Sequence, residues 1–167
     1  MINLFESNID DFQFLLDQMG TDVSINDNPA RALITNTALE ENYDDKKISS
    51  LSPLNRGDIV LYKDKKYMII SEVNTKRYNN YQGIMRHLPH HITINLQCRF
   101  ILLDCYINTS NLGVIDGKVL SIPDGEITVI STLINNKFDI KLDARFLIYG
   151  QKFKITGIDR GYSKLDT

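Results

Sequence analysis

The stretch RGDIVLYKDKKYMIISEV, at residues 56–73, decides the fold. An apolar run ends in Tyr62, a short polar segment follows, and Tyr67 opens a second run that alternates with polar residues. Apolar and polar residues that alternate on both sides of a short polar break are typical of a β-hairpin. We therefore predict two strands joined at a charged tip.

A looser echo of this pattern, RFLIYGQKFKITGID, occupies residues 145–159. In both stretches the first apolar strand is predicted to end in a tyrosine, Tyr62 or Tyr149, before a short turn. An aromatic residue, Tyr67 or Phe153, then opens the second strand. Generic hairpin patterning and a duplication of small barrels both explain the echo, and the sequence leaves the two explanations open.

Turn signals recur between these hairpins at intervals of about ten residues, which is typical of a barrel or sandwich of short strands. Asp116-Gly117 is a strong two-residue turn signal. We predict a mainly β fold in which one N-terminal amphipathic helix precedes two small β modules of SH3-like barrel or sandwich type. The predicted domains are residues 1–95, with the helix, and residues 96–167.

The helix is predicted over residues 7–19, where Ser7 provides a cap and Gly20 a stop. Its apolar stripe has helical spacing and consists of Ile9, Phe12, Leu16 and Met19. So short a helix is marginal alone and must dock. It either covers an open sheet end of its own chain or packs on a neighbouring subunit.

Residues 22–37 carry a second hairpin signal, with a turn expected at Asp27, Asn28 and Pro29. Residues 38–55 read as a polar connection that includes EENYDDKK. An acidic run followed by a basic one favours a solvent-exposed loop. The alternative is a mobile arm that contacts a partner.

Composition excludes several classes of protein. The chain has 167 residues and a net charge of −2, which gives no global attraction to nucleic acid or anionic lipid. No apolar run approaches the roughly 20 residues that span a bilayer, and no signal peptide is recognisable. Cys98 and Cys105 lie in an apolar stretch at a spacing that argues against a disulfide between them. We expect a cytoplasmic protein with buried free thiols.

No catalytic constellation is recognisable in the sequence. His87, His90 and His91 are clustered around Pro89, but they lack the spacing of a zinc site and are expected on a surface loop. Nucleophile elbows, converging carboxylates and phosphate-binding glycine loops are absent from the sequence. We expect no enzyme, no catalytic residue, no metal and no cofactor.

One local cluster of charge stands out. Lys76, Arg77, Arg86 and His87 are interleaved with Tyr78 and Tyr81, and the two pairs of cations are expected to approach each other across a hairpin. Cations beside aromatic rings suit single-stranded nucleic acid. They also suit a protein interface or an ordinary solvated surface, and these alternatives stay open.

The succession VSINDNPARALITNT and RGDIVLYKDKKYMIISEVNTKRYNNYQGIMRH resembles prophage virion proteins of Gram-positive bacteria, in particular small head-closure or head–tail joining proteins. Their compact barrel contains a similar hairpin, which this chain matches at Gly57, Asp58, Tyr62, Lys65 and Tyr67. The resemblance implies a mechanical role in which many copies assemble and connect parts of the particle, without substrate or cofactor.

We therefore predict a phage structural or adaptor protein that acts in virion assembly, with the head–tail connection as a candidate position. Its partners would be other virion proteins and copies of itself in the assembled particle, and it would pass from the cytoplasm into the virion. The alternative is a small nucleic-acid-binding β-barrel. The predicted interaction residues are Lys63, Lys65, Lys66, Lys76, Arg77, Tyr78, Tyr81 and Arg86.

Overall fold

The computed structural model describes residues 9–37, 44–74, 80–96, 99–108, 112–115, 118–121, 126–131 and 140–158. In these residues the chain is mainly β, as predicted, with one helix. The described residues up to Leu88 form one compact unit, the barrel unit, and Pro89–Ile158 forms a second, the sheet unit. The barrel unit contains α1 (Ile9–Met19), β1 (Thr21–Ile25), β2 (Asn28–Asn36), β3 (Asp45–Ser50), β4 (Ile59–Tyr62), β5 (Lys65–Ile69) and β6 (Tyr81–His87).

The six strands of the barrel unit close in the order β1-β2-β3-β6-β5-β4. The hairpin predicted in residues 56–73 is confirmed as β4–β5, and Lys63 and Asp64 form its turn with φ of 49° and 61°. Two-residue turns with positive φ at both positions match the twist of antiparallel strands. Asn26 and Asp27 turn β1 into β2 in the same way, so this turn lies earlier than predicted and Pro29 lies within β2.

The barrel core is filled by alternate residues of the six strands, among them the fully buried Ile48, Val60 and Met85. One buried carboxylate braces its wall. Asp58 accepts hydrogen bonds from the main-chain N of Asn55 at 2.6 Å and from Asn26 Nδ2 at 2.9 Å. The carboxylate thereby ties the β1–β2 turn to the start of β4.

The predicted helix is confirmed as α1, and it ends at Met19 as expected. Phe12 and Leu16 are buried and α1 contacts β2, so the helix docks on its own chain. Met19, which the prediction placed in the buried stripe, is exposed. At Gly20 a Cβ would lie 2.3 Å from the Leu16 carbonyl oxygen, which explains the glycine there.

The prediction of a polar connection over residues 38–55 was wrong for residues 45–50, which form β3; residues 38–43 lie outside the described residues. The strand is hard to recognise from sequence because Ile48 is its only large apolar residue. The buried Ser50 takes a core position, and its hydroxyl donates to the Arg31 carbonyl oxygen at 3.2 Å and accepts from the Ser52 N at 3.0 Å. A buried hydroxyl group is tolerated in a core when it both donates and accepts a hydrogen bond.

The sheet unit contains a five-stranded sheet in the order β11-β8-β7-β12-β13 and a two-stranded sheet of β9 and β10. Its strands are β7 (His90–Leu96), β8 (Arg99–Asn108), β9 (Leu112–Ile115), β10 (Lys118–Ser121), β11 (Thr128–Ser131), β12 (Arg145–Ile148) and β13 (Gln151–Lys154). The sequence predicts a domain boundary after residue 95. The strand β7 instead pairs with β8 and β12, so the compact units divide between Leu88 and Pro89.

The echo hairpin is β12–β13. Its turn consists of Tyr149 and Gly150, with φ of 48° and 82°, so Ile148 rather than Tyr149 ends the first strand. The inner sheet face is built around Ile92, Ile94 and Leu103. Within the described residues of both units, no helix is long and apolar enough to cross a membrane.

Candidate binding groove

A groove opens at the end of the barrel where the β4–β5 turn lies. The antiparallel order brings the end of β2, the start of β3 and the tip of β4–β5 to this end. Pairing between β1 and β4 runs through Ser24–Leu61 and Ile25–Val60 and stops before Tyr62. The resulting cavity of about 590 Å³, here called the tip groove, is lined by Ile34, Thr35, Asn36, Asp44, Lys46, Tyr62, Lys63, Lys65 and Tyr67.

Aromatic rings form the inner wall of the tip groove. Tyr67 is almost fully buried, and its ring lies 6.2 Å from that of the half-buried Tyr62 and 5.2 Å from that of His87. Burial, assisted by the charge of Asp44 and by a hydrogen bond to it, raises the pKa of Tyr67 to about 12. The Tyr67 hydroxyl is therefore neutral and lies near the Asp44 carboxylate.

The charged side chains of the tip groove form one ion pair and leave two lysines without a salt bridge among the described residues. Lys46 Nζ lies 2.9 Å from Asp44 Oδ1 and 3.2 Å from Asn36 Oδ1, and the Lys46 hydrogen bond holds the pKa of Asp44 below its usual range. Lys63 and Lys65 are exposed and form no salt bridge with any described residue; the ammonium of Lys63 lies 5.2 Å from the centre of the Tyr62 ring. The groove is thus positively charged in a chain whose net charge is negative.

Comparison with known protein families separates the same two parts of the chain. The YomX N-terminal domain matches residues 3–87, and the YomX C-terminal domain matches residues 90–165. The chain belongs to the YomX family. YomX proteins come from Bacillus prophage regions, so the expectation of a prophage protein is confirmed at that level. No curated protein and no solved structure matched the chain.

The structure of this YomX protein separates the predicted interaction residues. Lys63 and Lys65 line the tip groove, and the exposed Lys66 follows them on β5. Tyr81 packs against the barrel core. Arg86 holds Asp45 through two hydrogen bonds, of 2.9 Å from Nε and 2.8 Å from Nη2, and both side chains are 15% exposed.

The rest of the predicted cluster, Lys76, Arg77 and Tyr78, lies outside the described residues. Because its guanidinium group donates two hydrogen bonds to Asp45, Arg86 braces β6 against β3. Sequence reasoning missed Asp44 and Lys46 as groove residues. The only signal for them is the charged run that reads as a loop, and the register of β3 is what brings them to Tyr67.

The histidines are strand residues rather than the predicted loop residues. His87 ends β6, and His90 and His91 begin β7, because the strands extend to within two residues of each other. His91 Nδ1 lies 2.7 Å from Asp104 Oδ1, and His90 contacts the Tyr149 hydroxyl. In the described residues no group of three histidines, cysteines or carboxylates could hold a metal ion.

Of the two cysteines, Cys98 lies outside the described residues and Cys105 is fully buried in the sheet unit. Burial raises the pKa of the Cys105 thiol to about 12, with a smaller contribution from the charge of Asp104. A neutral thiol is a poor nucleophile. Cys105 therefore packs as a small apolar side chain.

Proposed function

We propose that this prophage protein is a structural or adaptor protein of the phage particle that binds other virion proteins through the tip groove. The head–tail connection is the position in the particle that we favour. The observation that supports this role is the cationic, aromatic tip groove at the end of a closed barrel. We expect no catalytic activity, because neither the groove nor the buried thiol offers an activated nucleophile.

A groove of this kind suits protein recognition for two reasons. Tyrosine supplies a large, rigid contact surface that loses little conformational entropy on binding. The hairpin that carries Lys63 and Lys65 closes through a two-residue turn next to the Tyr62–Lys65 pair, so its tip is preorganised. Preorganisation lowers the entropic cost of association.

Nucleic acid is the alternative ligand, and two observations favour a protein instead. In the described part of the chain only two lysines without a salt bridge, Lys63 and Lys65, line the groove, fewer than a phosphate backbone usually engages. Arg86, one of the cations assigned to nucleic-acid binding, is occupied by Asp45. An acidic, partly apolar protein segment complements the groove better than a polyphosphate does.

The test of this proposal reverses the charge of the two groove lysines that form no salt bridge with a described residue. In the double variant Lys63→Glu/Lys65→Glu, we expect phage particles to form at less than about a tenth of the wild-type yield, because reversed charges at the groove repel an acidic partner. The measurement is the yield of intact particles after induction of a prophage that carries the variant. Circular dichroism should give an unchanged melting temperature, because both lysines are exposed.

The matched control is Lys141→Glu/Lys152→Glu, which makes the same change of charge at two exposed positions of the sheet unit. Normal particle yield in the groove variant would contradict the proposal. A DNA-binding titration across salt concentrations tests the alternative, since phosphate contacts weaken steeply with salt.

A further inference from the structure

The outer face of α1 is unusually apolar for a surface helix. Phe14 is 63% exposed and Met19 is 70% exposed, with Leu15 between them at 43%. Phe14 lies two residues after the buried Phe12, about 200° further around the helix axis, and so faces away from the strand that α1 covers. Phe14 therefore remains uncovered on the face opposite the docked one and Leu15 is its neighbour on the helix, whereas Met19, seven residues after Phe12, is exposed at the end of the docked face.

The same face is acidic. Asp11 and Asp17 are exposed and stand three residues before and after Phe14, the spacing that makes side chains neighbours on a helix. The sequence of α1, IDDFQFLLDQM, contains no basic residue. An exposed aromatic ring between carboxylates is the chemical complement of the tip groove, where lysines surround a tyrosine.

We propose that the outer face of α1 from one copy of the protein docks in the tip groove of a second copy. Phe14 enters beside Tyr62, and the carboxylates of Asp11 and Asp17 meet the ammonium groups of Lys63 and Lys65. The ring cannot come from the groove's own chain, because Phe14 stands exposed while its helix is docked on β2. This inference rests on the proposed function and specifies the first occupant of the groove.

The geometry has a consequence for assembly. The donor surface on α1 and the acceptor groove are different surfaces of the same barrel unit, so the contact is heterologous. Each copy then offers one free helix face and one free groove, and further copies can add until a ring closes. An interface that joins opposite charges also predicts self-association that weakens as salt rises.

The experiment measures the mass of the full chain by light scattering and sedimentation over a range of protein and salt concentrations. We expect concentration-dependent self-association of the wild type. We expect at least a tenfold weaker association in each of the variants Lys63→Glu/Lys65→Glu, Asp11→Lys/Asp17→Lys and Phe14→Ser. The control Lys141→Glu/Lys152→Glu should associate like the wild type.

Mixing provides the decisive measurement. The two charge-reversed variants should each stay monomeric alone and form a complex together, because the reversed helix then meets the reversed groove and the native helix meets the native groove. Circular dichroism of every variant confirms that α1 is retained. Because Phe14→Ser alters no charge, it tests the apolar contact even if Asp11→Lys disturbs the start of the helix.

Three results would overturn the inference: a wild type that stays monomeric at every concentration, groove variants that associate normally, or mixed variants that fail to combine. The proposed function fails differently. If the groove variant blocks particle formation and still self-associates, the groove binds another virion protein and this inference falls alone. If self-association is lost and particle yield is normal, the proposed function falls.

Discussion

The hairpins β4–β5 and β12–β13 share a local design and differ in their surroundings. Each turns through two residues with positive φ. The first hairpin is hydrogen-bonded on both sides, by β1 and by β6, whereas β13 has no second neighbour among the described strands. Similar local sequence therefore gives the same turn in both units, and strands far away in sequence decide whether the hairpin is enclosed.

The difference in burial between the two hairpins is clearest at the aromatic residue in the third position of the second strand. Tyr67 pairs with Val60 in the barrel, and Phe153 pairs with Phe146 in the sheet. Tyr67 is 1% exposed, while Phe153 is only partly buried and stacks on Phe146 at 5.7 Å. The two residues are structural equivalents with unequal burial.

The largest effect that we predict compares these two residues. Tyr67→Ala should lower the free energy of unfolding by about 3–5 kcal/mol, the usual cost of removing a buried aromatic side chain. Phe153→Ala should cost about 1–2 kcal/mol, because less of its surface leaves water. Urea denaturation followed by circular dichroism gives both values.

Tyr67→Phe is the control that keeps the ring and removes only the hydroxyl group. It should cost about 1 kcal/mol, in the range of a single hydrogen bond. Equal losses for Tyr67→Ala and Phe153→Ala would show that closure of the barrel does not bury its hairpin more deeply.

The hairpins illustrate what the sequence could predict. Alternation and turn residues are local, so both hairpins, the helix and the mainly β class followed from them. The strand β3 did not, because Asp45 and Ser50 look like loop residues until Arg86 and the Arg31 carbonyl group supply their partners. The sequence placed Lys63 and Lys65 at the hairpin tip as interaction residues, a role that stays a prediction, but it did not predict a groove. Asp44 and Lys46 reach the groove through a pairing between distant strands.

A second comparison uses one buried ionisable group in each unit, a cysteine thiol and a tyrosine hydroxyl. The pKa of Cys105 in the sheet unit rises from 9.0 to about 12, and that of Tyr67 in the barrel unit rises from 10.0 to about 12. Both groups bind their proton more tightly in the folded state. Their stabilising contribution is therefore complete below the unfolded pKa and is lost as pH rises through the folded pKa.

We thus expect stability to begin falling near pH 9 through Cys105 and near pH 10 through Tyr67, by at most about 1.4 kcal/mol per pH unit for each group. Urea denaturation at a series of pH values up to 12 measures the slope. Cys105→Ala should flatten the profile from pH 9 and Tyr67→Phe from pH 10. Profiles that coincide with that of the wild type would mean that neither group is held neutral by burial.

The smallest predicted effect concerns the two turns themselves. Gly150 has φ of 82°, and no heavy atom lies within 4 Å of the position that a Cβ would take, so Gly150→Ala meets backbone strain without a steric clash. We expect a loss of about 1 kcal/mol in the free energy of unfolding, the usual cost of an L-residue in this region. Thermal or urea denaturation is sensitive enough to measure it.

Gly157→Ala is the matched control, because Gly157 has equally open surroundings and its φ lies outside the left-handed region. It should be neutral or slightly stabilising, since alanine reduces the entropy of the unfolded chain. In the barrel hairpin, Asp64 already has a positive φ of 61°. Asp64→Gly therefore removes backbone strain of the kind that Gly150→Ala introduces. A Gly150→Ala variant as stable as Gly157→Ala would show that the β12–β13 turn relaxes without cost.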